Sequence, residues 1–99
     1  MKLTSEQKKY LKGLAHAIDP SVSLGKSGIT LELIKEIDTS LFAHELIKLK
    51  FNQGKEEKKL LAEELAEKTG SNLVAMVGNN AILYRQQKIT EKRKIKLPK

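Results

Sequence analysis

The 99-residue sequence contains no cysteine and no tryptophan. Without thiols, both disulfides and thiolate metal sites are excluded, and a reducing, cytoplasmic location is the expectation. Aromatic residues make up only 4% of the chain, two tyrosines and two phenylalanines, so the core must be assembled from Leu, Ile, Val and Ala. Such scarcity also argues against a surface that reads bases by stacking them on a row of aromatic side chains. No apolar run is long enough to cross a bilayer, and the opening "MKLTSEQKKY" lacks a signal-peptide core, so no membrane partner is expected. The two histidines, His16 and His44, lack the spacing of a metal-ligand pair, and no metal or other cofactor is expected. No nucleophile with a neighbouring base stands out either. The chain therefore reads as a binding module, a monomer without a small-molecule substrate, and not as an enzyme.

What the sequence has in excess is positive charge. Its formal net charge is +7, and from Gln86 onward six basic residues (Lys88, Lys92, Arg93, Lys94, Lys96, Lys99) face Glu91 alone, so five of the seven net charges sit in this tail. A solvated tail that aids solubility and a segment that releases counterions from a polyanion are both compatible with that pattern. The division expected is a folded domain over 1–86 and a basic tail over 87–99.

Periodicity within the domain alternates between helix and strand. Thr4 and Gln7 form a capping-box pattern ahead of Leu11, Leu14 and Ile18, which predicts a helix from Thr4 to Ile18 that Asp19-Pro20 ends. Val22 to Leu24 reads as a short strand. Thr30 is placed to cap a second helix with Leu33, Ile37 and Leu41 on one face. From His44 to Phe51 the pattern alternates, Ile47, Leu49 and Phe51 against Lys48 and Lys50, giving a strand with an apolar and a basic face. Asn52-Gln53-Gly54 breaks it. "KEEKKLLAEELAEKTG" is a third helix, with Glu56 and Glu57 near its positive end and Gly70 at its close. "NLVAMVG" is apolar on both sides, the pattern of a central strand. Gly78-Asn79-Asn80 then supplies positive-φ residues for a tight turn into "AILYR". The order is αβαβαββ. It implies an α/β fold with one mixed four-stranded sheet packed by three helices, strands one, two and three being parallel neighbours and the last hairpin antiparallel.

"VSLGKSGIT" places Gly25, Lys26, Ser27 and Gly28 between the first strand and the second helix. Glycines there let a backbone come close, and the helix N-terminus behind them attracts phosphate. The same four residues also suit a plain turn. A nucleotide-hydrolysing loop is unsupported, because the upstream glycine of the Walker pattern is missing. The G-x-x-G element is similar to that of a KH domain, whose topology differs from the one read here.

Four stretches taken together, "QKKYLKGLAH", "LGKSGIT", "HELIKLKF" and "TGSNLVAMVGNNAILYR", resemble the CRM (chloroplast RNA splicing and ribosome maturation) domain in its free-standing bacterial YhbY-like form. The resemblance covers Leu3 to Arg85. It implies a fold like the C-terminal domain of translation initiation factor three, and RNA binding through the G-x-x-G loop and neighbouring basic residues. It further implies association with large-subunit ribosomal RNA in precursor particles. Carried onto this chain, the implied RNA contacts are Gly25, Lys26, Ser27 and Gly28, with Thr30, Lys48, Lys50, Arg85 and Lys88 beside them. Lys48 and Lys50 equally suit an edge strand kept soluble by charge. Glu63, Glu64 and Glu67 lie beside Lys59 and Lys68 and read as an ion-paired helix face. The alternative function is a protein-binding adaptor whose basic tail docks an acidic partner. DNA recognition is less supported, for want of a helix rich in Arg, Asn or Gln.

Overall fold

A computed structural model describes residues 1–52 and 57–98; the expectations for Gln53, Gly54, Lys55, Glu56 and Lys99 lie outside the described residues. In chain order the elements are α1 (Ser5–Ala15), β1 (Val22–Leu24), α2 (Leu31–His44), β2 (Leu46–Phe51), α3 (Lys58–Thr69), β3 (Asn72–Val77) and β4 (Asn80–Tyr84), followed by a short 3-10 turn (Thr90–Lys92). Three helices and one mixed four-stranded sheet are thus present, in the order the periodicity predicts.

Local chemistry explains the boundaries. The Thr4 hydroxyl accepts from the Gln7 amide while the Gln7 side chain accepts from the Thr4 amide, completing the capping box of α1. Regular helix stops at Ala15, three residues short of Ile18. The amides of His16, Ala17 and Ile18 bond three residues back, a tightened last turn imposed ahead of Pro20. Gly70, with φ of 65°, closes α3, and the Ser71 amide reaches the Ala66 carbonyl at 2.8 Å, a Schellman ending. In the β3–β4 turn only Gly78 has a positive φ, so the hairpin follows the II′ pattern and needs no left-handed Asn79 or Asn80.

Strand order corrects the expected topology. The sheet runs β1-β2-β4-β3, with β1 and β2 parallel and β4 antiparallel to both its neighbours. β2 and β3 therefore point the same way without pairing, because β4 returns between them. "NLVAMV" is an edge strand. It is apolar on both sides because helices cover both faces of the sheet, so periodicity alone reads it as central. β2 is correspondingly internal, and Lys48 and Lys50 do not protect an edge.

The two faces divide the helices unequally. Ile47, Leu49 and Phe51 of β2 join Ala81 and Leu83 of β4 beneath Leu33, Ile37 and Leu41 of α2 and Ala62 and Leu65 of α3. On the other face α1 lays Leu11 and Ala15 over Leu46, Val74, Ile82 and Tyr84. A bulge between Leu73 and Ala75 lets Val74 and Ala75 both turn toward α1, which breaks the alternation of β3.

Glu45 joins α2 to β2 with φ of 65° and ψ of −43°, a conformation that costs a non-glycine residue about 1–3 kcal/mol. Its side chain is 1% exposed. One carboxylate oxygen accepts from the Gln87 amide at 2.7 Å, the other from the amides of Lys94 at 2.6 Å and Ile95 at 3.0 Å. Backbone adds to this, since the Arg85 amide donates to the Glu45 carbonyl. The described residues after β4 thus fold back onto the domain, and Ile95 and Leu97 pack against the α1-side core.

Replacing Glu45 with Ala should cost about 3 kcal/mol, through the lost bonds to a buried charge. In hydrogen-exchange measurements the amides of Lys94 and Ile95 should lose protection while Ile37 and Leu49 keep theirs. Glu45→Gly relieves the positive φ and should melt above Glu45→Ala, yet release the same amides. Continued protection of Lys94 and Ile95 in both variants contradicts the anchoring role.

Burial also acts on Tyr84, which is fully enclosed with no hydrogen-bond partner for its hydroxyl among the described residues. Loss of solvent, helped by the negative charge of Glu45 and opposed by Arg93 and the nearby Gln86 side chain, raises its pKa above the ordinary 10.0. The folded state holds this proton more tightly than the unfolded chain does. Stability from this group is therefore complete below pH 10.0 and is lost as pH rises through the folded value. In a Tyr10→Phe protein, which isolates Tyr84, the phenolate absorbance should rise with a midpoint above 10.0, and urea should lower it. A midpoint unchanged by urea contradicts this.

Candidate nucleic-acid interface

Parallel pairing of β1 with β2 sends the C-terminal ends of both strands to one end of the sheet, where the β3–β4 turn also lies. Gly25 to Gly28 form a tight turn there, the Gly28 amide donating to the Gly25 carbonyl at 3.2 Å. Lys26 and Ser27, at its tip, are exposed. A Cβ built on Gly25 or Gly28 meets nothing within 4 Å, so the backbone stands clear of the domain. The two glycines differ in what they supply. Gly28 has φ of 68°, a conformation an L-residue resists, while Gly25 has no such constraint.

Directly behind the turn, Thr30 caps α2, its hydroxyl accepting from the Leu33 amide at 3.1 Å. Its place near the loop is therefore also structural. α3 begins at the same end of the sheet, and the Lys58 ammonium bonds the Asn79 side chain of the β3–β4 turn. Two helix N-termini, each with the partial positive charge of its unpaired amides, thus sit near one glycine turn. Each terminus also has one carboxylate beside it, Glu32 in the first turn of α2 and Glu57 at the N-cap of α3, where it makes no side-chain capping bond.

The lysines of β2 extend this end down the α1-side face. Lys50 pairs in register with Ser23, two residues from Gly25, so its backbone lies about 7 Å along the strand from the loop. Both side chains are exposed. Lys48, half-buried and opposite Ile82, is a further two residues down.

Arg85 and Lys88 are not part of that assembly. They follow β4 at its far end, about 20 Å away by the rise of β2. The Arg85 guanidinium is committed within the protein. It bonds the Asp38 carboxylate at 2.5 Å, the Thr69 carbonyl at 2.8 Å and the Asp38 carbonyl at 3.1 Å, tying α2 to the close of α3. Lys88 is exposed beside it.

Sequence reasoning missed Lys58, because a lysine in a charged helix start carries no sign of what faces it. Glu45 was equally silent. Phe42 did leave a trace, being an aromatic residue off the Leu33, Ile37, Leu41 stripe, and it is 54% exposed. Among the described residues no group of three or more His, Asp or Glu side chains is placed to hold a metal, and no helix is long and apolar enough to cross a membrane.

Comparison with known proteins places this geometry in a family. The model of the CRS1/YhbY (CRM) domain matches residues 3–85. A Haemophilus influenzae protein named RNA-binding protein is 39% identical over 98 residues, covering 98% of this chain and 96% of its own length. Probable RNA-binding protein YqeI of Bacillus subtilis is 39% identical over 97 residues, covering 97% and 99%. The solution structure of the hypothetical protein SAV1595 from Staphylococcus aureus superposes with a TM-score of 0.82 at 44% identity, covering 98% of this chain and all of that one. From Leu3 to Arg85, α1 through the exit of β4, the chain belongs to the CRS1/YhbY (CRM) domain family.

Proposed function

We propose that this protein binds RNA by clamping its backbone with the Gly25–Gly28 turn and the N-terminus of α2, and that it acts in the cytoplasm on ribosomal RNA of large-subunit precursors. It works by binding, without catalysing a reaction. The observation that carries the proposal is the bare turn set among helix N-termini and lysines. Phosphate oxygens need donors and positive potential, and amides at helix starts supply both without side-chain reorganisation. Lys26 and Lys50 add charge whose binding energy comes from counterions released by the RNA. The names of the relatives support RNA as the polyanion, and the family resemblance supports the ribosomal assignment. Tail docking onto an acidic protein has less support, because the relatives that match nearly the whole chain are named RNA-binding proteins.

Gly25→Asp tests the clamp. Gly28→Asp would strain a positive φ and confuse folding with binding, whereas at Gly25 the new side chain enters open space. Its melting should stay within about 0.5 kcal/mol of the parent. RNA affinity should collapse, since a carboxylate now stands where phosphate binds. Lys26→Ala should keep the fold and reduce the log–log salt slope by about 0.7 on single-stranded RNA. In cells, RNA crosslinked to the parent should be enriched in large-subunit ribosomal RNA, and Gly25→Asp should lose that enrichment. Undiminished binding by a folded Gly25→Asp contradicts the clamp, and fragments spread evenly over messenger RNAs contradict the ribosomal role.

A further inference from the structure

The end of the sheet opposite the glycine turn carries a cavity of about 660 Å³, within the range of small-ligand sites. Phe42, Arg85, Gln86, Lys88, Ile89 and Arg93 are among the residues lining it. Its walls are the exposed side of α2 near its C-terminus, the close of α3 with the start of β3, the exit of β4, and the tail that Glu45 holds down. Three hydrogen bonds give the tail wall its form: Gln87 donates its side-chain amide to the Phe42 carbonyl at 2.9 Å, Arg93 donates from Nε to the Gln87 carbonyl at 2.7 Å, and the Gln87 backbone amide reaches Glu45.

Charge and shape commit the cavity to one kind of occupant. Among its described lining residues the one acid, Asp38, is already paired with Arg85, which leaves Lys88 and Arg93 as uncompensated cations. Phe42 and Ile89 are large apolar side chains that remain 54% and 43% exposed at the rim, an arrangement with no core function. The Lys92 ammonium lies 5.7 Å from the centroid of the Phe42 ring, so the ring already accepts a cation against its face. A planar aromatic group joined to an anion satisfies all of these at once. Phe42 offers a stacking platform, and Lys88 and Arg93 offer phosphate partners.

We propose that this cavity is a second RNA site, which takes one unpaired nucleotide with its base stacked on Phe42 and its phosphate against Lys88 and Arg93. The inference rests on the RNA-binding reading but not on the glycine turn, from which the cavity is separated by the length of β2. An RNA strand held at both ends of the sheet would have its base contacts at the tail end and its backbone contacts at the loop end.

The test compares the parent, Phe42→Ala, Phe42→Tyr, Lys88→Glu and Gly25→Asp for binding to single-stranded oligouridylate and to an abasic ribose-phosphate oligomer of the same length. Phe42→Ala should lose about tenfold in affinity for oligouridylate, the cost of one lost stack, and change little toward the abasic oligomer. Phe42→Tyr should restore binding. Lys88→Glu, which leaves the ring in place, should weaken binding to both oligomers. Equal affinity of Phe42→Ala and parent for oligouridylate overturns the site, as does an equal loss on both oligomers, which would mean that the ring only supports the tail. A parent that prefers polyglutamate to oligouridylate also overturns it, in favour of an acidic protein. If Gly25→Asp binds normally while Phe42→Ala does not, the glycine clamp fails and this site stands. The reverse pattern keeps the clamp and rejects the site.

Discussion

The buried carboxylate of Glu45 is the constraint on which both ends of the molecule depend. It sits where α2 must turn sharply into β2, in a backbone conformation that a non-glycine residue adopts at a cost. Three tail amides converge on its two oxygens and offset that cost. The side chain is thereby both a corner of the fold and the anchor of residues 87–95. A charge enclosed this completely is tolerable only because every oxygen has donors, and removal of either partner leaves polar groups exposed to an apolar interior.

The sheet turns that anchor into a division of labour. β1, β2 and β3 all point to one end, so glycine turn, helix N-termini and hairpin gather there. β4 alone points to the other end and delivers the basic tail to it. Positive potential consequently appears in two places about one strand length apart, and of different kinds. At the loop end it comes from backbone amides, from Lys26 on a bare turn and from Lys50 on the neighbouring strand. At the tail end it comes from Lys88 and Arg93, which line a cavity.

Much of this was legible in the residues, and the parts that were not share a physical reason. The caps at Thr4 and Thr30, the core stripe of α2, the alternation of β2 and the Gly70 ending are local codes, each written within a few residues, and each holds in the structure. Strand order is not local. β3 looks central because two helix layers cover it, and only pairing with β4 on a single side reveals the edge. The glycine turn was visible as a candidate, whereas the separation of Arg85 from it was not, since both follow strands and only the direction of β4 sets them apart. Likewise, the tail's charge could be counted, but its docking depends on one acidic residue forty positions earlier, which no spacing rule marks.

Identifying which peptides of the protein become crosslinked to bound RNA addresses the two-ended account most directly. Ultraviolet crosslinking of the full chain to single-stranded RNA, followed by mass spectrometry of the digested complex, should find RNA attached within residues 25–28 and within 86–93, with the α3 helix unmarked between them. Attachment confined to the exposed side of α3, with neither segment modified, would contradict the account.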